Sequence, residues 1–203
     1  MTEEPGPPKL AAIMSIDVAG FSAMTEIDEA EAASMVTRVR TVIETAASKH
    51  QGRIFNTAGD GFMLEFPSAA GALATAEALW GSVERKGVRV GVHVGDVLPG
   101  RNGDLIGHSV NVAARLQQLA QPGAVVVSMD ARRAVRGKLA QRLHPAGAVH
   151  LDKMSETIEI FTLEPIAAQG SRGRKLEPVL AVLPFDNESD DGEMVYFSDG
   201  VAD

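Results

Sequence analysis

The segment Arg53–Phe66, RIFNTAGDGFMLEF, limits the possible folds more than any other stretch of the chain. Two β-compatible runs, Arg53 to Thr57 and Phe62 to Phe66, flank the turn sequence AGDG, so the backbone must reverse here as a hairpin. The pair is antiparallel, and the turn carries an acid, Asp60, between two glycines.

The neighbouring segments supply what this hairpin needs to bury its apolar face. Lys9 to Val18 is an apolar strand that ends at Asp17 and Gly20. From Phe21 to Lys49, Met35, Val36, Val39, Val42, Ile43, Ala46 and Ala47 recur at steps of three and four, which predicts one amphipathic helix stopped by Gly52. Ser68 is the expected cap of a second helix, Ala69 to Arg85, with Trp80 packed on the core. Val88 to Leu98 alternates as a strand, with Val88, Val90, Val92 and Val94 on one face and Gly91, His93 and Gly95 on the other. The loop PGRNGDLIG leads to a third helix, about Ser109 to Ala120, with Val110 and Ala114 as its expected core contacts. Ala124 to Ser128 is a further strand, and His144 to Leu151 with Thr157 to Leu163 forms a last pair.

This order is a ferredoxin-like βαββαβ core with additions. It predicts an α/β sandwich with a mixed, mostly antiparallel sheet. Residues 1–8 read as a leader, 9–165 as the domain and 166–177, with AAQGSRGRK, as a linker. Residues 178–203 begin another strand, so a second domain is expected to start there and to be truncated at Asp203.

Charge and composition narrow the function. A formal charge of −8 argues against a sequence-independent grip on nucleic acid, which needs lysine and arginine to displace counterions. The chain has no cysteine, which removes disulfides, thiolate metal sites and a cysteine nucleophile. No run approaches the roughly 18 apolar residues of a membrane span. The acidic, proline-rich leader is unlike a secretory signal, so the expected location is cytoplasmic, without membrane contact. DNESDDGEMVYF lacks the glycine position and the closing glutamate of a calcium loop and is set aside. The acidic run Glu26, Asp28, Glu29 and Glu31 reads as a solvated face near a helix start, and His93 as a strand residue satisfied by packing or hydrogen bonds.

The remaining polar residues cluster in a chemically pointed way. Asp17 ends the first strand and Asp60 tips the hairpin, and these strands can lie side by side in a βαββ core. Paired carboxylates repel unless a cation lies between them, and Mg2+ or Mn2+ takes such oxygen ligands together with substrate phosphates. After Asp17, the turn Val18-Ala19-Gly20-Phe21-Ser22 opens a helix whose first N–H groups suit an anion. Asn111 and Arg115, spaced i and i+4, share one helix face that could position a sugar oxygen and neutralise phosphoryl charge.

The motifs IDVAGFS, NTAGDGFMLEFPS, GVHVGDV and GHSVNVAARL...PGAVVVS, in this order from about Lys9 to Pro165, resemble the catalytic domain of the class III adenylate/guanylate cyclases. The resemblance implies two Mg2+ or Mn2+ ions per site, held by Asp17, Val18 and Asp60, and a triphosphate at Ala19, Gly20, Phe21, Ser22 and Lys153. Asn111 and Arg115 would be the catalytic pair, and each site would be shared across a head-to-tail homodimer. Base recognition would fall to Asn56 and Asp104, where Asn56 replaces the lysine typical of adenine-selective members. Asn56 can still donate to adenine N1 and Asp104 accept from the exocyclic amine, which implies ATP over GTP. The tail from Pro178 resembles the opening of the TolB-like segment that follows some proteobacterial cyclase domains, which implies a missing C-terminal domain.

Overall fold

The computed structural model describes residues 6–82, 87–151 and 157–165. The chain divides into two units, Met1–Ile166 and Ala167–Asp203, and the described residues all lie in the first. The expected linker, the TolB-like tail and Lys153 lie outside the described residues.

The elements run β1 (Lys9–Val18), α1 (Phe21–Ile27), α2 (Glu29–Ser48), β2 (Arg53–Ala58), β3 (Gly61–Phe66), α3 (Ala69–Ser82) and β4 (Val88–Pro99). Then come β5 (Leu105–Ile106), α4 (His108–Leu119), β6 (Val125–Ser128), α5 (Met129–Arg133), α6 (Gly137–Gln141), β7 (Leu143–His150) and β8 (Thr157–Leu163). The main sheet has the order β2-β3-β1-β4-β6-β8-β7, with β5 paired to β4. Only the β4–β6 pairing among these is parallel. The expected α/β sandwich with a mostly antiparallel sheet is therefore the observed one. Among the described residues no helix is long and apolar enough to cross a membrane.

The two sheet faces are filled by alternation. Ala12, Met14, Ile16 and Val18 of β1 join Val39 and Ile43 of α2, Leu73 and Leu79 of α3, and Val88, Val90 and Val92 of β4 in the larger core. Ala11 and Ile13 turn to the other face, where they meet Val97, Leu105 and Ala113. Trp80 packs on the larger core and its indole N–H donates to the Gly123 carbonyl at 3.0 Å. Ser68 caps α3 as expected, its hydroxyl accepting from the Gly71 amide at 3.2 Å.

Four local expectations are corrected. The helix from Phe21 to Lys49 is two helices, because Asp28 is extended (φ −151°, ψ 97°) and its carboxylate accepts from the Glu31 amide at 3.0 Å. Asp28 is thus a cap, and it stays exposed with Glu26, Glu29 and Glu31 as the solvated face expected of that run. Gly52 does not stop α2 by a left-handed turn: Gln51 takes the positive φ of 56°, and Gly52 is required because a Cβ there would lie 2.2 Å from the Phe66 ring. The buried face of α4 is Ser109, Val112, Ala113, Leu116 and Gln117; of the two expected contacts, Val110 does pack, half-buried, against the core around Ile13 and Val97, and Ala114 is half-buried. The cause lies in β4, whose Gly91 has no side chain and lets the Ala113 and Gln117 backbone press onto the sheet. Finally, α5 and α6 occupy five residues each where no helix is expected from the sequence.

Candidate active site

The register of β1 brings the two expected carboxylates together. Asp17 is opposite Gly61 of β3 on one side and Arg89 of β4 on the other, and Asp60 immediately precedes Gly61 in the hairpin turn. The Asp60 carboxyl lies against Asp17 and close to its own amide and that of Val18. Burial, and then the neighbouring Asp17 charge, hold its pKa above the ordinary carboxylate value despite those amides. Two acids pressed together, one of them with raised proton affinity, are a donor set that a hard cation would relieve.

A guanidinium does part of that work. Arg89 donates from Nε to Asp17 Oδ2 at 3.0 Å and from Nη2 to the same oxygen. Sequence reasoning misses Arg89. Its only signal is that it opens a strand that must lie antiparallel to the one Asp17 ends, and that signal needs the sheet order.

Next to the carboxylates the chain turns sharply. The Ala19 amide is used by the Gly87 carbonyl at 3.0 Å, and Gly20 is left-handed at φ 76° with open space around its α-carbon. Helix α1 then starts at Phe21, so the amides of Phe21, Ser22 and Ala23 have no partner within the helix.

A second cluster forms at the edge of the sheet. Asn56 of β2 donates from Nδ2 to both carboxylate oxygens of Asp104 at 3.4 Å, across 48 residues of sequence. Arg53 and Asn56 also line a groove of about 420 Å3 against α2. On α4, Asn111 is exposed and Arg115 half-buried, both turned from the face that packs on β4. Arg115 Nη1 donates to Gln118 Oε1 of its own helix at 3.0 Å. The structure therefore joins Asp17 with Asp60 and Asn56 with Asp104, and sets Asn111 and Arg115 side by side. The Arg115 bond leads along α4 and not to the carboxylates.

His93 is buried, with Nδ1 2.8 Å from the Ser128 hydroxyl. Its role is the structural one expected of it.

Residues 6–165 match the family model described as the adenylate and guanylate cyclase catalytic domain. Over 215 residues the chain is 34% identical to "Putative adenylate cyclase 3" of Rhizobium meliloti (strain 1021), covering 96% of this chain and 36% of that protein. It thus spans about a third of that relative's length. Among solved structures, the adenylate/guanylate cyclase/hydrolase from Silicibacter pomeroyi superposes with a TM-score of 0.70 at 26% identity, covering 79% of this chain and 99% of that one. The adenylyl cyclase CyaB from P. aeruginosa shares the fold at a TM-score of 0.67 and 20% identity, covering 82% and 98%.

Proposed function

Since this chain belongs to the family of adenylate and guanylate cyclase catalytic domains, we propose that it is an adenylate cyclase, converting ATP to 3′,5′-cyclic AMP and pyrophosphate. The observation that carries this reading is the meeting of Asp17 and Asp60 beside the Val18 amide, with the Asp60 carboxyl held above its ordinary pKa. In this reading Asp17 and Asp60, with Val18 beside them, hold two Mg2+ or Mn2+ ions, which when bound would acidify the ribose 3′-hydroxyl and brace the phosphates. The Ala19–Ser22 turn, with the amides of Phe21 and Ser22 left open at the start of α1, receives the triphosphate, joined by Lys153.

The 3′-oxygen attacks the α-phosphorus as the bond to the β-phosphate oxygen breaks. Arg115 neutralises the charge that develops on the transferring group, and the Asn111 amide orients the sugar. Both reach the carboxylates from a second copy of the chain, packed head to tail. Asp104 accepts from the exocyclic amine of adenine and Asn56 donates to N1; guanine offers an acceptor, O6, where Asp104 needs a donor.

The test is cyclic nucleotide formation by purified protein at high concentration, with ATP and GTP in parallel and Mg2+ or Mn2+ supplied. The expected product is cyclic AMP, abolished by Asp60→Ala. Cyclic GMP alone would reverse the base preference. No product from either nucleotide, in a dimeric sample that binds ATP, would make the chain a nucleotide-binding module without turnover.

A further inference from the structure

We propose that Arg53 is a positioning residue for base selection, acting through the loop that carries Asp104; this rests on the reading that Asn56 and Asp104 face the base. Arg53 opens β2, and its Nη1 donates to the Gly103 carbonyl, 50 residues later in the chain, at 2.7 Å. The rest of the guanidinium is fixed by β3: Nε and Nη2 meet Glu65 Oε2 at 2.8 and 2.7 Å. Lys9 of β1 pairs with the other oxygen, Oε1. The Glu65 side chain is 13% exposed and that of Arg53 45%, so the acid is the anchored end and the guanidinium spans from it to the loop.

The peptide it grips belongs to a tight turn. Asn102 and Gly103 are left-handed in succession, at φ 57° and 78°, a conformation that asparagine and glycine take up more readily than other residues. On the far side of Asp104, Leu105 is buried and its amide donates to Asp104 Oδ1 at 2.8 Å. Asp104 thus sits between a buried leucine and a clamped glycine, with its carboxylate presented to Asn56. Releasing Gly103 frees the loop to turn that carboxylate relative to Asn56, where base edges are told apart, without touching the triphosphate turn. The planar fork of arginine meets Glu65 through Nε and Nη2 and the Gly103 carbonyl through Nη1 in one fixed geometry; a lysine has three donors but all on one nitrogen, so it loses the two-pronged grip on Glu65.

The experiment compares the full chain with Arg53→Gln, Arg53→Lys, Asp104→Ala and the Arg53→Gln/Asp104→Ala double variant, measuring kcat, KM and dissociation constants for ATP and GTP. Arg53→Gln is expected to lower the ratio of preference between the two nucleotides by about tenfold, the size of one lost charge-assisted hydrogen bond, mainly in KM. Arg53→Lys is expected to fall between, and Arg53→Gln to add nothing once Asp104 is alanine. An equal loss with both nucleotides, or full additivity in the double variant, would overturn the proposal. Should Arg53→Gln not fold, Arg53→Lys decides by the same ratio. A wild-type chain that makes no cyclic nucleotide would sink the enzyme reading alone, since the ATP and GTP dissociation constants still answer for Arg53.

Discussion

His93 shows how a single side chain ties this fold to pH. The ring is 6% exposed, and burial pushes its pKa down to about 4, with the Asp130 carboxylate pulling the other way and His108 adding to the fall. Ser128 Oγ already accepts from the Ala131 amide at 3.2 Å, so its hydroxyl hydrogen is free to donate to Nδ1 of a neutral imidazole. In the unfolded chain the same ring titrates near 6.5. Between those values the unfolded state binds more protons, so stability rises with pH there; it is fully present above about 6.5 and is lost as pH falls toward 4. The shift corresponds to about 3 kcal/mol at full extent. Urea unfolding at about pH 7.5 and about pH 4.5 should therefore show a drop for the wild type that exceeds the drop for His93→Gln by about 2 kcal/mol. Equal drops in the two proteins would mean that the ring is not held neutral by burial.

At the scale of elements, the seating of α4 on β4 governs where Asn111 and Arg115 stand. A Cβ on Gly91 would lie 2.3 Å from the Gln117 amide nitrogen and 2.4 Å from the Ala113 carbonyl oxygen. Both are backbone atoms, so no rotamer change relieves the clash and the helix itself must lift. Gly91→Ala is expected to cost about 3 kcal/mol, a fall in Tm of roughly 6 to 12 °C, and to depress cyclase activity beyond the loss of folded protein. A thermal melt within a degree or two of wild type would show that α4 has slack there. This packing is half legible in the sequence: the alternation of VRVGVHVG places Gly91, His93 and Gly95 on one face, but does not identify the helix that covers them. The break at Asp28 has a local signal too, in the pattern Asp28-Glu29-Ala30-Glu31, yet the apolar period running through to Ala47 masks it. Helices α5 and α6 span little more than one turn each, too short for any period to register.

Taken whole, the molecule separates what local sequence can reveal from what only assembly can. Asp17 and Asp60 are readable because a strand end and a hairpin tip lie on neighbouring strands in this topology. Arg89 and Arg53 are not, since their partners depend on sheet order and on a loop, reached across 72 and 50 residues respectively. The same division bears on the proposed site. Within one chain Arg89 answers Asp17 and Gln118 takes the Arg115 guanidinium, so Asp17 and Arg115 are each engaged apart from the other. If two copies meet head to tail, one site draws its carboxylates from the first and its α4 from the second. Asp60→Ala and Arg115→Ala should then each be inactive alone, Arg115→Ala losing roughly a hundred- to a thousandfold, on the order of a lost oxyanion donor. Mixed in equal amounts and allowed to exchange, half of the dimers would be heterodimers, each with one intact site and one doubly damaged site. Activity should return to about a quarter of the wild-type level. A mixture as silent as its components, with exchange verified by differently labelled chains, would place the whole site within one protomer and end the head-to-tail reading.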